Sequence, residues 1–423
     1  MPTAQTVQLG DVAEDITVGY VGPMAQEYVE DGIPFLRSLN VRPFRFDPTD
    51  LKFISPGFHQ KIKKSSLKPG DVVAVRTGNP GVSCVIPENL PDSNCSDLVV
   101  IKCGEKLDPS FVSYYINSVT HSHIKGQLVG AIQQHFNIGS AKEMRFPKLD
   151  KQEQHKRASV LSALDAKIEL NQRMNEELEG MAKLLYDYWF VQYDFPMSAA
   201  QAKALGKPHL TGHPYRASGG PMTYHETLKR EIPQGWEIRK LSTFCDHIRD
   251  TVDPSDVAPC TPYVGLEHVP RRRFTLDAWG AASSVTSLKS QFKSGDVLFG
   301  KLRPYFHKVV RAGMDGICTS ELLVLRSIDP KFEGFLGSVL FSDVFVETTS
   351  NQWGGSKMPR AEWSRMKEYL VPCPPDDLLT NFNDRVLPMW ELGATNQRQT
   401  QELTQLRDWL LPMLMNGQVT VGG

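Results

Sequence analysis

The chain has 423 residues, with 47 lysines and arginines against 48 aspartates and glutamates, so its formal net charge at pH 7 is −1. At about 150 residues per domain this length predicts two to three domains. A composition with 40% hydrophobic and 22% charged residues excludes wholesale disorder, and the even charge excludes a uniformly basic nucleic-acid coat protein. Local basic patches are still allowed.

The motifs that are missing from the sequence indicate the cellular location and the metal content that we expect. The first residues carry no basic stretch followed by an apolar core, so we expect no secretory signal. No apolar run approaches the roughly 18 residues of a membrane span. The seven cysteines include no CxxC pair, which disfavours a metal site and predicts reduced, mostly buried thiols. We therefore expect a cytoplasmic protein without a metal.

The chain is predicted to be a tandem repeat. Gly70-Asp71-Val72 recurs as Gly295-Asp296-Val297, at an offset of 225 residues. Asn171-Gln172-Arg173 recurs as Asn396-Gln397-Arg398 at the same offset of 225 residues. Other matches follow in the same order with small shifts, as loop insertions would cause. Several weak matches in one order are together specific, so we predict a duplication.

Each repeat is predicted to have a mixed region of short strands and helices, closed by a long helix. Strand-like runs lie at Asp71–Arg76, Leu98–Lys102 and Glu321–Arg326, between turns rich in glycine and proline. The predicted class is α+β, with each mixed domain followed by a long helix. The predicted boundaries are a first mixed domain at 1–150, a helix at 151–190, a linker or insertion at 191–231, a second mixed domain at 232–375 and a helix at 376–416.

Both helical segments carry a heptad pattern, which predicts that they pair as an antiparallel coiled coil. We place Leu164, Asn171, Leu178 and Leu185 at a positions of the first helix, and Asn396, Leu403 and Leu410 at a positions of the second. The predicted d positions are Val160, Lys167, Met174, Met181 and Tyr188 in the first helix, and Leu392, Leu406 and Met413 in the second. The two asparagines are expected to pair across the seam; the alternative is a solvated flank. Pro388 is expected to kink the second helix or to mark its start.

Positive charge concentrates in turns of the two mixed regions. A single lysine run is more often a solvated surface, but basic turns at matching places in both repeats favour contacts with phosphates. Arginine, asparagine and glutamine can also read base edges. Taken alone, Gln133 and Gln134 equally fit polar side chains of a solvent-exposed loop. The candidate DNA-binding residues of the first repeat are Lys61, Lys63, Lys64, Arg76, Thr77, Asn79, Gln133 and Gln134. Those of the second repeat are Arg271, Arg272, Arg273, Lys301, Arg303, Tyr305, Lys357 and Arg360.

Motifs of common enzymes are missing from the sequence. There is no GxGxxG or GxxxxGK[ST] loop, no GxSxG elbow and no HExxH pair. The Pro374-Pro375 pair is followed by Asp376, where a DNA aminomethyltransferase needs an aromatic residue. We therefore predict a DNA-reading protein without catalysis of its own. Two alternatives are kept: a standalone nuclease or methyltransferase, and a coiled-coil scaffold that binds only protein.

The ordered motifs resemble the specificity (S) subunits of type I restriction-modification systems over nearly the whole chain. Besides the paired Gly-Asp-Val and Asn-Gln-Arg runs, the resemblance rests on Gly300–Tyr305, the run ending at Arg360, Phe146-Pro147 with Gln152-Glu153-Gln154, Val371–Pro375 and Ile232–Trp236. The second helix departs from the family pattern because it starts with Asp376-Asp377-Leu378-Leu379.

This resemblance implies two target-recognition domains, each reading one half of a bipartite, asymmetric double-stranded DNA site in phage defence. It implies that the paired helices set the spacer and dock two modification subunits, which methylate adenine with S-adenosylmethionine. Restriction subunits, which translocate DNA with ATP and Mg²⁺, would join the larger complex. This chain would bind no cofactor itself.

Overall fold

The computed structural model describes residues 5–127, 136–351, 359–419 and 421, and the chain divides into two compact units. The first unit comprises residues 1–168 and 402–423, and the second comprises residues 169–401. The described α-helices are α1 (Leu9–Val12), α2 (Pro56–Lys61), α3 (Pro109–Gln127), α4 (Ile138–Lys142), α5 (Lys151–Tyr186), α6 (Ala199–Ala204), α7 (Glu333–Phe341), α8 (Asp343–Asn351), α9 (Trp363–Met366) and α10 (Asp376–Met415).

The strands of the described residues fall into two sets of thirteen, one in each unit. The first set is β1 (Thr6–Gln8), β2 (Asp15–Val18), β3 (Tyr28–Val29), β4 (Ile33–Leu36), β5 (Val41–Arg42), β6 (Arg45–Phe46), β7 (Lys52–Ile54), β8 (Ser66–Leu67), β9 (Val72–Val75), β10 (Ser83–Val85), β11 (Ser93–Cys95), β12 (Leu98–Lys102) and β13 (Arg145–Pro147). The second set is β14 (Met222–His225), β15 (Arg230–Pro233), β16 (Glu237–Lys240), β17 (Cys245–Ile248), β18 (Thr251–Val252), β19 (Pro262–Val264), β20 (Gly280–Ala281), β21 (Lys289–Phe292), β22 (Val297–Gly300), β23 (Val309–Arg311), β24 (Gly316–Cys318), β25 (Leu322–Ser327) and β26 (Leu370–Cys373).

The strand order repeats between the units, which confirms the predicted duplication and α+β class. The first unit has an antiparallel sheet in the order β10-β9-β12-β2, and the second unit has the order β23-β22-β25-β17. Each unit also has a five-stranded mixed sheet with one parallel pair, β4 with β11 and β19 with β24. A short antiparallel pair, β1 with β13 or β16 with β26, precedes each long helix.

The central strands β9 and β12 are buried on both faces. Val72 and Val99 belong to an apolar cluster with α3 and the start of α5, whereas Val73 and Val100 belong to a second cluster with the five-stranded sheet. Successive side chains of a strand point to opposite faces, so a strand covered on both sides must be apolar throughout. This explains the continuous VVAV and LVVI runs.

The repeated Gly-Asp-Val motif forms the turn that leads into β9 and β22. Gly70 has φ of +86° and Gly295 has φ of +93°, a backbone conformation in which a side chain is strained. Asp71 accepts a hydrogen bond from the Lys68 amide at 2.9 Å, and Asp296 accepts one from the Lys293 amide at 2.7 Å. Burial raises the pKa of Asp71. The motif therefore fixes the start of the strand that carries each candidate loop.

In the first unit, the start of α5 packs antiparallel against the end of α10. Arg157 Nη1 donates to the Leu414 carbonyl at 3.1 Å, and Arg407 Nη1 donates to Asp165 Oδ1 at 2.8 Å. The Asp165 carboxylate also accepts from the Tyr114 hydroxyl of α3 at 2.5 Å. The helix pair is thereby tied to the β-rich part of the same unit.

In the second unit, the end of α5 packs antiparallel against α10, and asparagines occupy the seam. Asn171 Nδ2 donates to the Asn396 carbonyl at 3.3 Å, and Asn396 Nδ2 donates to Asn175 Oδ1 at 3.0 Å. Asn175 Nδ2 in turn donates to the Gly393 carbonyl at 3.1 Å. The asparagines are buried, so the alternative of a solvated flank is wrong for Asn171 and Asn396. Asn171 contacts the main chain of Asn396, and its predicted side-chain partner pairs with Asn175 instead.

The predicted d residues do not form the buried row of the seam: four of the eight are exposed, and the other four, Val160, Lys167, Met174 and Met413, are half-buried. Met181, Tyr188, Leu392 and Leu406 are exposed, between 39% and 49%. The row that completes the seam lies four residues after each a position, and in α5 it consists of Leu161, Ile168, Asn175, Ala182 and Trp189. The predicted a residues Leu164, Leu178, Leu185, Leu403 and Leu410 are half-buried.

The second long helix begins at Asp376 and continues to Met415 through Pro388, so Pro388 does not mark its start. Pro388 and Asp384 are exposed. The carbonyl four residues before a helical proline loses its hydrogen bond, and here it lies on an exposed face where water can replace that bond.

The segment 191–231, predicted from its composition as a linker or insertion, is folded within the second unit. It follows directly from a π-helical turn at Asp187–Val191 and includes α6 and β14. Phe195 stacks on Tyr215 at 4.6 Å and on Trp236 at 5.5 Å between ring centroids. The glycines and prolines of this segment therefore lie in turns of a folded part of the second unit.

Six of the seven cysteines are buried, and Cys260 is exposed. Among the helices that the structure describes, none combines the length and the apolar character needed to cross a bilayer.

Candidate nucleic-acid interface

The candidate loops that follow the Gly-Asp-Val strands are hairpin loops at equivalent places in the two sheets. In the first unit the loop joins β9 to β10, and in the second it joins β22 to β23. The first described residues after 128–135 and after 352–358 lie beside these loops. The Phe136 amide donates to the Arg76 carbonyl at 3.2 Å, and the Ala361 amide donates to the Lys301 carbonyl at 2.8 Å. The sequence candidates Gln133, Gln134 and Lys357 lie outside the described residues.

A strained turn forms the tip of the second unit's hairpin loop. Pro304–Phe306 is a 3₁₀ turn, flanked by Arg303 with φ of +50° and His307 with φ of +52°. Non-glycine residues rarely adopt this conformation, and such strain is concentrated at functional sites. Tyr305 is 51% exposed at the tip. The Arg303 amide donates to the Pro359 carbonyl at 2.9 Å, which joins the loop to the segment that ends in Arg360.

Two arginines and two aromatic rings lie together at this tip. The guanidinium carbon of Arg271 lies over the Phe306 ring, 4.0 Å from its centroid, and that of Arg303 lies 5.9 Å from the same centroid. Tyr305 packs edge-on against Phe306 at 4.8 Å between centroids. Arg271 and Arg303 form no ion pair with any described residue. The exposed donors of Arg271 are therefore available for a ligand, whereas Arg303 is half-buried and its Nε is buried without a hydrogen-bond partner among the described residues.

The other two residues of the arginine run are held by carboxylates. Arg272 Nη1 pairs with Asp343 at 2.9 Å, and Arg273 Nη1 pairs with Asp277 at 3.1 Å. The Asp343 carboxylate also pairs with Lys183 of α5 at 3.0 Å. Arg272 and Arg273 are thus engaged in contacts within the unit.

Lys301 sits at the base of the same loop. Its Nζ donates to the Ser320 carbonyl at 2.5 Å, and burial lowers its pKa. Arg360 approaches Glu321 at 3.8 Å and is exposed. Lys301 is therefore partly committed to the fold, whereas Arg360 remains accessible.

The equivalent loop of the first unit is more constrained. Arg76 Nη1 pairs with Asp97 at 2.8 Å, and the Thr77 hydroxyl donates to the same carboxylate at 3.1 Å. Arg76 is the counterpart of Lys301, and Asp97 of Glu321, so both units place a cation beside an acid at this position. Asn79 is exposed at the loop tip.

The lysine candidates of the first unit lie on a different element. Lys61 ends α2, and Lys63 and Lys64 form the following 3₁₀ turn; all three are exposed. Ile62 anchors this turn in the apolar cluster of the five-stranded sheet. The three lysines therefore form a separate basic surface that can contact phosphates.

Phe306 and His307 were not among the site residues predicted from the sequence. Phe306 directly follows the candidate Tyr305, so a search for aromatic residues beside arginines could have found it. His307 is buried, its Nε2 lies 2.9 Å from the Phe341 carbonyl, and burial lowers its pKa. His307 therefore connects the end of the Pro304–Phe306 turn to the end of α7.

The chain is similar to known proteins in sequence and in fold. A family model described as "Type I restriction modification DNA specificity domain" matches residues 1–180. The chain is 24% identical over 308 residues to the type I restriction enzyme MjaIX specificity subunit of Methanocaldococcus jannaschii, covering 66% of this chain and 62% of that protein. Both matches make the chain similar to type I restriction-modification specificity subunits.

A second relative is similar in sequence, and a solved structure is similar in fold. The chain is 25% identical over 203 residues to the EcoDI specificity subunit of Escherichia coli, covering 45% of this chain and 43% of that protein. A crystal structure of a type I restriction-modification S subunit from M. genitalium has the same fold, with a TM-score of 0.58 at 14% identity, covering 98% of this chain and 97% of that chain. The match thus spans less than two thirds of the MjaIX and EcoDI subunits. Specificity subunits are non-catalytic components of the restriction-modification complex.

Proposed function

We propose that this chain is a specificity subunit that reads a bipartite, asymmetric site on double-stranded DNA, one half with each unit, in the cytoplasm of its host. One observation carries the proposal. Each unit has a hairpin loop at the equivalent place of its own four-stranded sheet, and the two loops carry different side chains. A duplicated scaffold with unlike loops fits two unlike half-sites.

The second unit's loop has the chemistry of a base reader. Arg303, Tyr305 and Arg360 are accessible around one tip, and arginine can bind guanine bidentately in the major groove. The lysines at 61, 63 and 64 would neutralise phosphates in the first unit, so affinity should fall as salt rises.

Mapping of methylated adenines tests this proposal. Host DNA is sequenced with and without this chain, in the presence of its modification subunit. The proposal predicts one methylated motif with two specified halves around an unspecified spacer. An uninterrupted motif, or methylation that does not depend on this chain, would contradict it.

We further propose that the paired helices dock two modification subunits, which supply S-adenosylmethionine and methylate adenine. Restriction subunits with ATP and Mg²⁺ would join the larger complex, and this chain would bind no cofactor. The support is a group of exposed apolar side chains on each long helix. Met181, Leu184 and Tyr188 are exposed on α5. Their counterparts 225 residues later on α10 are Leu406 and Trp409, which are exposed, and Met413, which is half-buried.

Exposed apolar side chains at equivalent positions of both repeats fit two copies of one partner. Leu184 is 70% exposed and Trp409 is 63% exposed, so a charge at either site should leave the fold intact. We expect Leu184→Glu or Trp409→Glu to reduce the bound modification subunits from two to one, measured by native mass spectrometry. The double variant should bind none, whereas the control Glu177→Ala should bind two. Two bound subunits in the double variant would refute this docking surface.

A further inference from the structure

We infer that Phe306 is a positioning residue that aims Arg271 at a guanine in the half-site read by the second unit. This inference rests on the proposed DNA-reading function and assigns one base contact within it. Its basis is the placement of Arg271 over the Phe306 ring, at 4.0 Å, beside the strained tip of the hairpin loop.

Arg271 differs from its neighbours in what it contacts. Arg272 and Arg273 are each paired with a carboxylate at about 3 Å, whereas Arg271 is exposed and forms no ion pair within the described residues. A guanidinium stacked on a ring loses rotational freedom but keeps the donors at its planar edge. The stack therefore prepares Arg271 for a bidentate acceptor.

The position of Phe306 is fixed from several sides. The turn that carries it is closed by hydrogen bonds from the Phe306 amide to the Arg303 carbonyl at 2.9 Å and from the His307 amide to the Pro304 carbonyl at 2.7 Å. The Arg272 amide donates to the His307 carbonyl at 3.0 Å, which ties the arginine segment to the turn. Ring and guanidinium are thus carried on two segments that are hydrogen-bonded to each other.

Guanine presents O6 and N7 as two adjacent acceptors in the major groove, and an arginine fork matches them. A phosphate is the other acceptor that a fork can bind. The two ligands differ in one measurable way, because a guanine contact specifies one position, whereas a phosphate contact affects all sequences alike. The fixed stack favours guanine, since a phosphate contact needs no such fixed aim.

The test uses this chain assembled with its modification subunit and a DNA library randomised across the second half-site. Arg271→Ala is expected to lose roughly 5- to 100-fold of discrimination at one guanine, with other positions unchanged. Phe306→Leu should lose discrimination at the same guanine by a smaller factor, whereas Phe306→Tyr, which keeps the ring, should retain it. Arg239→Ala is the matched charge control, because Arg239 pairs with Glu237 on β16.

Each experimental outcome has its own interpretation. Equal weakening of all sequences by Arg271→Ala would show a phosphate contact and overturn the inference, as would unchanged discrimination. Full discrimination in Phe306→Leu would remove the positioning role. If the wild-type complex showed no base preference at all, the proposed function itself would fail with it.

Discussion

Removal of the Asn175 side chain should strongly destabilise the helix pair of the second unit. Asn175 Oδ1 accepts from Asn396, and its Nδ2 donates to the Gly393 carbonyl. Asn175→Ala leaves both buried partners without that bond, and each such loss costs about 1–3 kcal/mol. We therefore expect the free energy of unfolding to fall by roughly 2–5 kcal/mol. For a unit of this size the melting temperature should fall by roughly 5–15 °C.

Asn171→Leu is the matched comparison. The Asn171 Oδ1 atom is buried and has no hydrogen-bond partner among the described residues. The shortest hydrogen bond of its Nδ2, at 2.9 Å, goes to Gln399, which is exposed and can turn to water. The bonds to the Asn396 carbonyl and the Thr400 hydroxyl are longer, at 3.3 and 3.4 Å. Leucine removes the unpaired oxygen, so we expect a change within about 1 kcal/mol. Thermal and denaturant unfolding of the whole chain measure both variants, and a double-mutant cycle of Asn175→Ala with Asn396→Ala should show coupling of about 0.5–3 kcal/mol. If Asn175→Ala were as mild as Asn171→Leu, this account of the seam would be refuted.

Three further predictions concern the loops and the strands. Gly70→Ala should destabilise the protein by about 1–2 kcal/mol, because Gly70 has φ of +86°. Gly180→Ala, on the exposed face of α5, should stabilise it by up to about 1 kcal/mol. Chemical denaturation distinguishes the opposite signs of the two changes. Arg303→Ala should weaken binding to the second half-site by about 1–3 kcal/mol in a titration with DNA. Arg76→Ala should weaken DNA binding less, because the charge of Arg76 is already paired with Asp97. The reverse order would argue against Arg303 as a residue that contacts bases. Burial lowers the pKa of His247 to about 4 in the folded protein, whereas its ordinary pKa is about 6.5. As the pH falls below about 6.5 the unfolded chain therefore binds a proton that the folded protein does not, so stability should fall between about pH 6.5 and pH 4. His247→Gln should reduce this pH dependence of the melting temperature, and an unchanged pH dependence would assign it to other groups.

The repeat and the strands were predictable because the same local chemistry occurs twice. Gly70 and Gly295 must adopt positive φ, and each precedes a strand that is buried on both faces. The second long helix was also located, since Pro374-Pro375 stands directly before Asp376. These features depend on neighbours in the chain.

The second row of the heptad seam was not predictable from hydrophobicity. The true row includes Asn175 and Ala182, whereas the exposed row includes Met181 and Tyr188. The buried asparagine is satisfied by hydrogen bonds to the other helix, and the apolar residues face outward. A pattern of apolar residues therefore favours the wrong row wherever a helix keeps an apolar surface exposed.

The sequence also did not show which cations are free. Arg272 is paired with Asp343 and Arg76 with Asp97, and these acids are 71 and 21 residues away in the chain. Arg271 stands next to Arg272 but contacts an aromatic ring instead. Only the fold separates paired arginines from available ones.

An exchange of one unit's reading domain tests the central claim most directly. Residues 5–147, which precede α5, are replaced by the corresponding residues of a relative with a different methylated motif, and methylated adenines are mapped in the host. The account predicts that one half of the motif changes to the relative's half while the other half and the spacer stay the same. A change in both halves, or in neither, would contradict the assignment of one half-site to each unit.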